Sequence, residues 1–543
     1  MTTGLSTHLS ATDYLIILSY FIITISLGLH FARRWRGSED FFLAGRNLTW
    51  PLIGLSLFAT NISTEHFVGL AAGGYREGLV QGGYEWIASY CLLMLAGVFA
   101  PQYLRHRVFT IPEYFEKRYG LEVRVLLTVY FLAMIVFTKT SVALYSGTRV
   151  LADLTGFDFQ LILWGIGITT AVYTMAGGLA AVVYTDALQA IILIAGSILL
   201  TGMALDRVGW WPGLTEQLQL QGKTYLLTMV KGPESPLPFS GFLLGNFLVG
   251  GMFYWCMDQV NVQRVLGARN LREARLGAVF AGYLKIIPVF ILVLPGVAAA
   301  ALSLDITGNN GLPDYNRTYG ALVQTLLPAG LRGIVLAALL AALMSSISSM
   351  FNSASTLVAR DLVARFQPGA SQRRQILAGQ FALVVVMAGG ILTTPLIGKY
   401  SHIWEYLQEV SAYFSVPFAV VGLSGIFLRR VNRNGALAAI ITGVGTSAFL
   451  LADSHVDGGL WARLRHPYLN SFLHRSFLCA ILSFGALLGV SLVTPPPPAE
   501  VRAGTLAFDW PGGSGQSEGD NRAAGIWMIS LFLAVTALWW IFR

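Results

Sequence analysis

The sequence predicts an all-α integral membrane protein of about 14 transmembrane helices, with a five-plus-five inverted-repeat core that contains two broken helices. Three observations carry this expectation: a strongly apolar composition, an alternation of basic and weakly charged loops, and polar interruptions in the second and seventh apolar runs.

Of 543 residues, 55% are hydrophobic and only 12% are charged, about half the charged share of an average soluble protein. Mean hydropathy is +0.62, which excludes a soluble globular chain. The 36 Lys and Arg against 28 Asp and Glu give a net charge of +8. The basic residues sit in short clusters between apolar runs, as in cytoplasmic loops, so nucleic acid is not an expected partner and membrane lipid is. Cys91, Cys256 and Cys479 lie in or beside apolar runs without a CxxC or Cys/His pattern, and are expected to be packing residues. The first apolar run lacks a basic n-region and a small-residue cleavage site, so it reads as a retained span.

A helix needs about 20 mostly apolar residues to cross the hydrocarbon core. That criterion marks 12–31, 50–74, 79–104, 122–150, 157–175, 180–204, 240–264, 274–303, 326–366, 373–396, 402–429, 435–455, 473–493 and 524–542. Every second loop is basic: Arg33, Arg34, Arg36 and Arg46 follow the first span, Arg105 and Arg107 the third, Arg264, Arg269, Arg272 and Arg275 the seventh, Arg360 and Arg365 the ninth, and Arg429 and Arg430 the eleventh. The rule that basic loops stay inside then puts both termini outside. The expected layout is an N-terminal external segment, peripheral span and internal loop (1–49), a first repeat (50–204), an external loop (205–239) and a second repeat (240–430). Peripheral spans (431–493), a flexible Pro- and Gly-rich internal linker (494–523) and a last span (524–543) complete it.

Ionisable residues inside spans are costly and mark functional positions; Glu85, Asp186, Asp258 and Lys285 stand out. The stretch from Thr60 to His66 is polar, poor in strong helix formers and at mid-membrane depth, so the second helix is expected to break there. Five spans later, Phe253 to Gln259 is a matching polar and aromatic interruption, the spacing of the two broken helices in inverted repeats. In the ninth span, Ser345, Ser346, Ser348 and Ser349 are four serines in five positions. With 3.6 residues per turn, Ala342, Ser345 and Ser349 share a face, and their hard oxygen ligands suit an alkali cation.

These residues resemble the sodium/solute symporter family, specifically its sodium-glucose cotransporter branch. The resemblance covers about residues 12–455 and rests on Asn61-Ile62 through His66-Phe67-Val68-Gly69-Leu70, Tyr84-Glu85-Trp86, Gly177-Gly178-Leu179, Tyr184-Thr185-Asp186, Tyr254-Trp255-Cys256, Tyr283-Leu284-Lys285, Met344-Ser345-Ser346 and Gln408. It implies that Asn61, His66, Glu85, Lys285 and Gln408 hydrogen-bond sugar hydroxyls. It also implies that Tyr254 and Trp404 close over the ring from inside and outside, with Trp255 and Leu70 as further gate residues. A first sodium ion is implied at the carbonyls of Ala59, Ile62 and Ala342 and the hydroxyls of Ser345 and Ser346. A second is implied at Asp186, Ser345, Ser348 and Ser349. Gly251 stands where the family's glucose and galactose carriers have a polar side chain, and Ala88 lacks the hydroxyl of a bacterial relative, which leaves the sugar's identity open.

The expected function is sodium-coupled uptake of a hexose or similar monosaccharide by alternating access, with Na+ as the co-transported ion and no obligate protein partner, in the cell membrane. A symporter for a polyol, a sialic acid or another organic solute is the alternative, and a sugar sensor or sodium-linked channel is a third reading. No nucleophile-base pair with metal ligands or phosphate loop favours an enzyme.

Overall fold

The structure, a computed structural model, describes residues 9–31, 37–308, 311–397, 403–454, 466–504 and 518–543. Among these residues the chain is helical without a β-strand. Its principal helices are α1 (Ala11–Phe31), α2 (Trp50–Asn61), α3 (Thr64–Arg76), α4 (Leu79–Arg105), α5 (Leu121–Thr155), α6 (Phe159–Val208), α7 (Phe239–Cys256), α8 (Gln259–Leu266) and α9 (Leu271–Ala301). They continue with α10 (Leu331–Phe366), α11 (Gln372–Ile397), α12 (Ile403–Phe427), α13 (Arg433–Ser454), α14 (Phe472–Val493) and α15 (Ala523–Ile541).

Twelve of the described helices are long and apolar enough to cross a membrane, against the fourteen spans read from the sequence. The difference has two physical sources. The expected span 50–74 is interrupted, so that α2 and α3 are each too short to cross alone. The expected spans 157–175 and 180–204 form one 50-residue segment, α6, which turns at Gly178 with φ 59° and ψ −151°. Arg33, Arg34 and Arg36, residues 505–517 of the expected linker and most of the loop before α14 lie outside the described residues.

Burial separates a core from a periphery. In α10, 94% of the apolar stretch is buried, against 17% in α1 and 22% in α15, so α10 runs through the bundle while α1 and α15 present apolar side chains outward, as lipid requires. Lipid offers no hydrophobic drive for helix association, so close backbone approach at small residues matters. At the crossing of α3 and α9, a Cβ on Gly74 would lie 2.3 Å from the Val293 carbonyl oxygen, and one on Gly296 would lie 2.1 Å from that of Ala71. The three cysteines are free and buried.

Beyond the spans, the short helix Ile111–Tyr119 is tied to the bundle by ions. Its Glu116 meets Arg124 and also Arg365, 2.8 Å away. Burial opposes ionisation there, but hydrogen bonds from the two arginines hold the Glu116 carboxyl below the usual range.

The turn at Gly178 lies in a region of backbone space open essentially to glycine alone, and a Cβ there would stand 2.3 Å from the Phe41 carbonyl oxygen. Gly178→Ala should therefore destabilise the protein by about 1–3 kcal/mol or more, read as a lower melting temperature in detergent. Gly165→Ala, at an exposed helical position with open space around it, should leave the melting temperature unchanged or slightly raised.

Candidate binding cavity and ion sites

The two interruptions expected from the sequence are present, and they differ in how their backbone groups are satisfied. In the first, α2 ends when Ile62 donates to the Phe58 carbonyl (3.1 Å) and turns extended at φ −79° and ψ 100°. The Ser63 N–H, which in a continuous helix would bond the Ala59 carbonyl, donates instead to His66 Nδ1 at 3.4 Å. The His66 N–H bonds the Ser63 carbonyl (3.0 Å) rather than that of Ile62. The carbonyls of Ala59 and Ile62 are thus left by their usual donors. In the second interruption, between α7 and α8, the protein covers its own breaks: Tyr103 OH donates to the Cys256 carbonyl (2.7 Å), Asn261 Nδ2 to that of Tyr254 (2.8 Å), and Asp258 Oδ1 caps α8 by accepting from Val260 N–H (2.9 Å).

Between the interruptions lies a cavity of about 140 Å³, roughly ten times the space one water needs on the same measure. Asn61, His66, Glu85, Tyr254, Trp255, Lys285 and Gln408 all line it. Lys285 is ion-paired with Glu85, and its ammonium also donates to Asn61 Oδ1. Asn61 Nδ2 in turn donates to Tyr254 OH (3.0 Å). Both charges are almost fully buried, with side-chain exposures of 1% and 3%, and the Lys285 ammonium lies 5.4 Å from the centroid of the Trp255 ring. His66 accepts at Nδ1, so a neutral ring carries its proton on Nε2, which points toward Glu85 Oε1 at 3.9 Å. Such a wall offers acceptors, donors and aromatic faces together, which matches a neutral polyhydroxylated ligand. Ala88 and Gly251, the two departures noted above, are on the same wall. Leu70 is fully buried in α3 and is not part of the lining, and the side chain of Trp404 lies outside the described residues.

The residues considered for sodium gather where α10 passes the first interruption. Ser346 Oγ donates to the Thr60 carbonyl at 3.0 Å, so the serine cluster touches the backbone at the end of α2. Ser345 Oγ is buried without a hydrogen-bond partner, and Ala342, about one turn earlier, is fully buried. Behind them Asp186 Oδ2 accepts from Ser56 (2.6 Å), Thr60 (3.3 Å) and Ser349 (3.4 Å), while its Oδ1 has no hydrogen-bond partner. Ser348 Oγ donates to the Ser345 carbonyl (2.9 Å).

Two charged residues, Lys139 and Glu65, were not singled out by sequence reasoning, and a third stands elsewhere than expected. Arg264 was counted among the loop cations after the seventh span, but it is fully buried. It stands 3.6 Å from Asp186 and bonds to Ser56 (3.1 Å) and Ser349. The reason is that α8 re-enters the bundle as the second half of a broken helix, so Arg264 faces α2 and α10. Lys139, in the π-helical stretch Ile135–Thr140, and Glu65, beside the first interruption, both line the cavity. The rule that flagged Glu85 and Lys285 applies equally to Lys139, a charge inside an apolar run.

A charge-compensated polar cavity between two interrupted helices of a helical bundle defines a secondary transporter. The sodium:solute symporter family model matches residues 41–443, and the chain belongs to that family. It is 34% identical to the sodium/glucose cotransporter 1 of Ovis aries over 90% of this chain and 79% of the relative. It is 35% identical to the sodium/myo-inositol cotransporter 2 of Homo sapiens over 90% and 78%. Among solved structures it resembles a substrate-bound, outward-open Na+-coupled sialic acid symporter, with a TM-score of 0.77 and 20% identity over 90% of this chain and 99% of that one. A closed nucleobase-cation-symport-1 family transporter gives a TM-score of 0.54 at 15% identity, over 87% and 99%. The fold is the five-plus-five inverted-repeat transporter fold, the protein is multi-pass, and sodium is its coupling ion.

Removing one member of a buried ion pair strands the other, at a cost of about 3–5 kcal/mol. Lys285→Met should therefore lower the melting temperature of the purified protein sharply. The double variant Glu85→Gln/Lys285→Met should recover part of that loss, as read by thermal unfolding in detergent.

Proposed function

We propose that the chain is a sodium-coupled symporter of a neutral monosaccharide, working by alternating access in the cell membrane with both termini outside. The observation that carries this reading is the buried Glu85–Lys285 pair, held with Asn61, His66 and Gln408 in one cavity. A sugar hydroxyl both donates and accepts, so it exchanges partners with these groups without leaving a charge bare. A carboxylate ligand would instead meet Glu85. In this reading Tyr254 and Trp404 act as the inner and outer gates, with Trp255 and Leu70 as further gate residues.

Sodium binds first, at the carbonyls of Ala59, Ile62 and Ala342 and the hydroxyls of Ser345 and Ser346, and so supplies a partner to carbonyls that the interruption parts from their helical donors. A second ion uses Asp186 with Ser345, Ser348 and Ser349, and to do so it displaces the Arg264 guanidinium from Asp186. Sodium at the first site fixes the end of α2, which carries Asn61, and so orders the solute site. Solute binding then closes the outer end, and rocking of the two five-helix repeats (50–204 and 240–430) opens the Tyr254 end. Each sodium charge moving inward contributes about 2.3 kcal/mol per 100 mV of membrane potential. No further protein is required for this cycle.

A polyol is the second reading. It is favoured by the myo-inositol cotransporter relative and by Gly251 and Ala88, which leave the wall without two polar side chains.

The test is uptake of radiolabelled hexoses and polyols into proteoliposomes under inward sodium or matched potassium gradients. Sodium-dependent accumulation of one solute is expected for the parent, with at least a tenfold loss in Glu85→Ala. Ser345→Ala should raise the sodium concentration for half-maximal uptake several-fold. Sodium-dependent binding without accumulation would point to a sensor, and no response to any sugar or polyol would sink the assignment.

A further inference from the structure

Beside the proposed solute groups, the cavity holds a lysine and two carboxylates that the reading above does not use. Lys139 projects from the π-helical stretch of α5, where its ammonium is ion-paired with Asp258 and lies 5.2 Å from the centroid of the Tyr254 ring. Asp258 does two things at once: Oδ1 caps α8 and Oδ2 holds Lys139. The second interruption is thereby anchored to α5.

The first interruption contributes a carboxylate of its own. Glu65 is only 7% exposed and lines the same cavity, and its Oε2 has no hydrogen-bond partner. Neighbouring cations do not meet this need. His66 Nδ1, 3.9 Å from Glu65 Oε1, presents a lone pair because it accepts from Ser63 N–H. Lys285 is committed to Glu85, and Arg264 stands against Asp186. Among the described residues of the cavity wall, Lys139 is the remaining ammonium, and Glu65 lines the same cavity. The ring beneath that ammonium also spans both interruptions, since Tyr254 OH accepts from Asn61 at the end of α2.

A buried carboxylate oxygen without a partner is unfavourable, and one ammonium on the same wall as two carboxylates, one at each interruption, can pair with either. We propose that Lys139 is a cation shared between the two helix interruptions, held by Asp258 in this arrangement and passed to Glu65 during the transport cycle, so that the two breaks rearrange as one. Lys139, Asp258 and Glu65 are positioning residues in this scheme, and the solute is bound elsewhere. The inference rests on the alternating-access reading.

Sodium-driven uptake by the full chain in proteoliposomes tests it, with Lys139→Met, Lys139→Arg, Glu65→Gln and the double variant Glu65→Gln/Lys139→Met. Lys139→Met should lower the maximal rate at least tenfold while the solute concentration for half-maximal uptake stays within twofold, and Lys139→Arg should restore most of the rate. Glu65→Gln, which keeps its volume, should also slow uptake. The double variant should be no slower than Lys139→Met alone. A parental rate in Glu65→Gln, a rise confined to the half-saturation concentration, or multiplicative losses in the double variant would each overturn the shared-cation scheme.

Absence of uptake by the parent would instead count against the sugar reading. Amide hydrogen exchange on the purified full chain then decides the inference without transport. Lys139→Met should speed exchange across both 62–66 and 257–261, and Glu65→Gln should slow it across 257–261. Loosening confined to 257–261 in Lys139→Met would make the Lys139–Asp258 pair a static tie and contradict the scheme.

Discussion

The structure depends on one constraint: inside a bilayer, every backbone group released from a helix must find a partner within the protein or in what the protein binds. The second interruption meets that constraint with side chains of the protein, Tyr103 from α4 and its own Asn261 and Asp258. The first does so only in part, because Ser63 and His66 bond each other and so abandon the carbonyls of Ala59 and Ile62. This asymmetry gives the bundle its chemistry. In the proposed cycle the satisfied break serves as scaffold, and the one whose carbonyls have lost their helical donors beside a serine-lined helix receives the cation.

The charges around the cavity follow the same logic. Glu85 with Lys285, Asp258 with Lys139, and Asp186 with Arg264 are paired deep in the protein, each joining segments far apart in sequence. Such pairs contribute little net stability compared with well-packed apolar residues, but breaking one is costly. They therefore restrict how the helices can be arranged more than they strengthen any one arrangement. A carrier that must hold two arrangements, and few between, gains from contacts of this kind.

Much of this was legible in the sequence because a bilayer makes polarity conspicuous. The seven residues from Thr60 to His66 announce a break because nothing in them favours a helix through lipid. Glu85 and Lys285 announce themselves because a charge within an apolar run is costly unless it is paired or functional. The residues missed or misplaced were hidden by their setting. Arg264 sits in sequence with Arg269, Arg272 and Arg275, and only the re-entry of α8 distinguishes it from them. Lys139 is a single charge within a long apolar run, and its meaning comes from a partner 119 residues away. The span count differed for a related reason. At Gly178 the chain turns through one glycine without a loop, so two expected helices form one segment.

The central claim is that the ion site at the first interruption and the solute site beside it stabilise one another, which requires the coupling to be the same in both directions. The direct measurement is equilibrium binding on the purified chain: the solute's dissociation constant in sodium and in potassium, and sodium's dissociation constant with and without saturating solute. Sodium should tighten solute binding by some factor, on the order of 5 to 150, and solute should tighten sodium binding by that same factor. Solute binding of equal strength in sodium and potassium would contradict the claim.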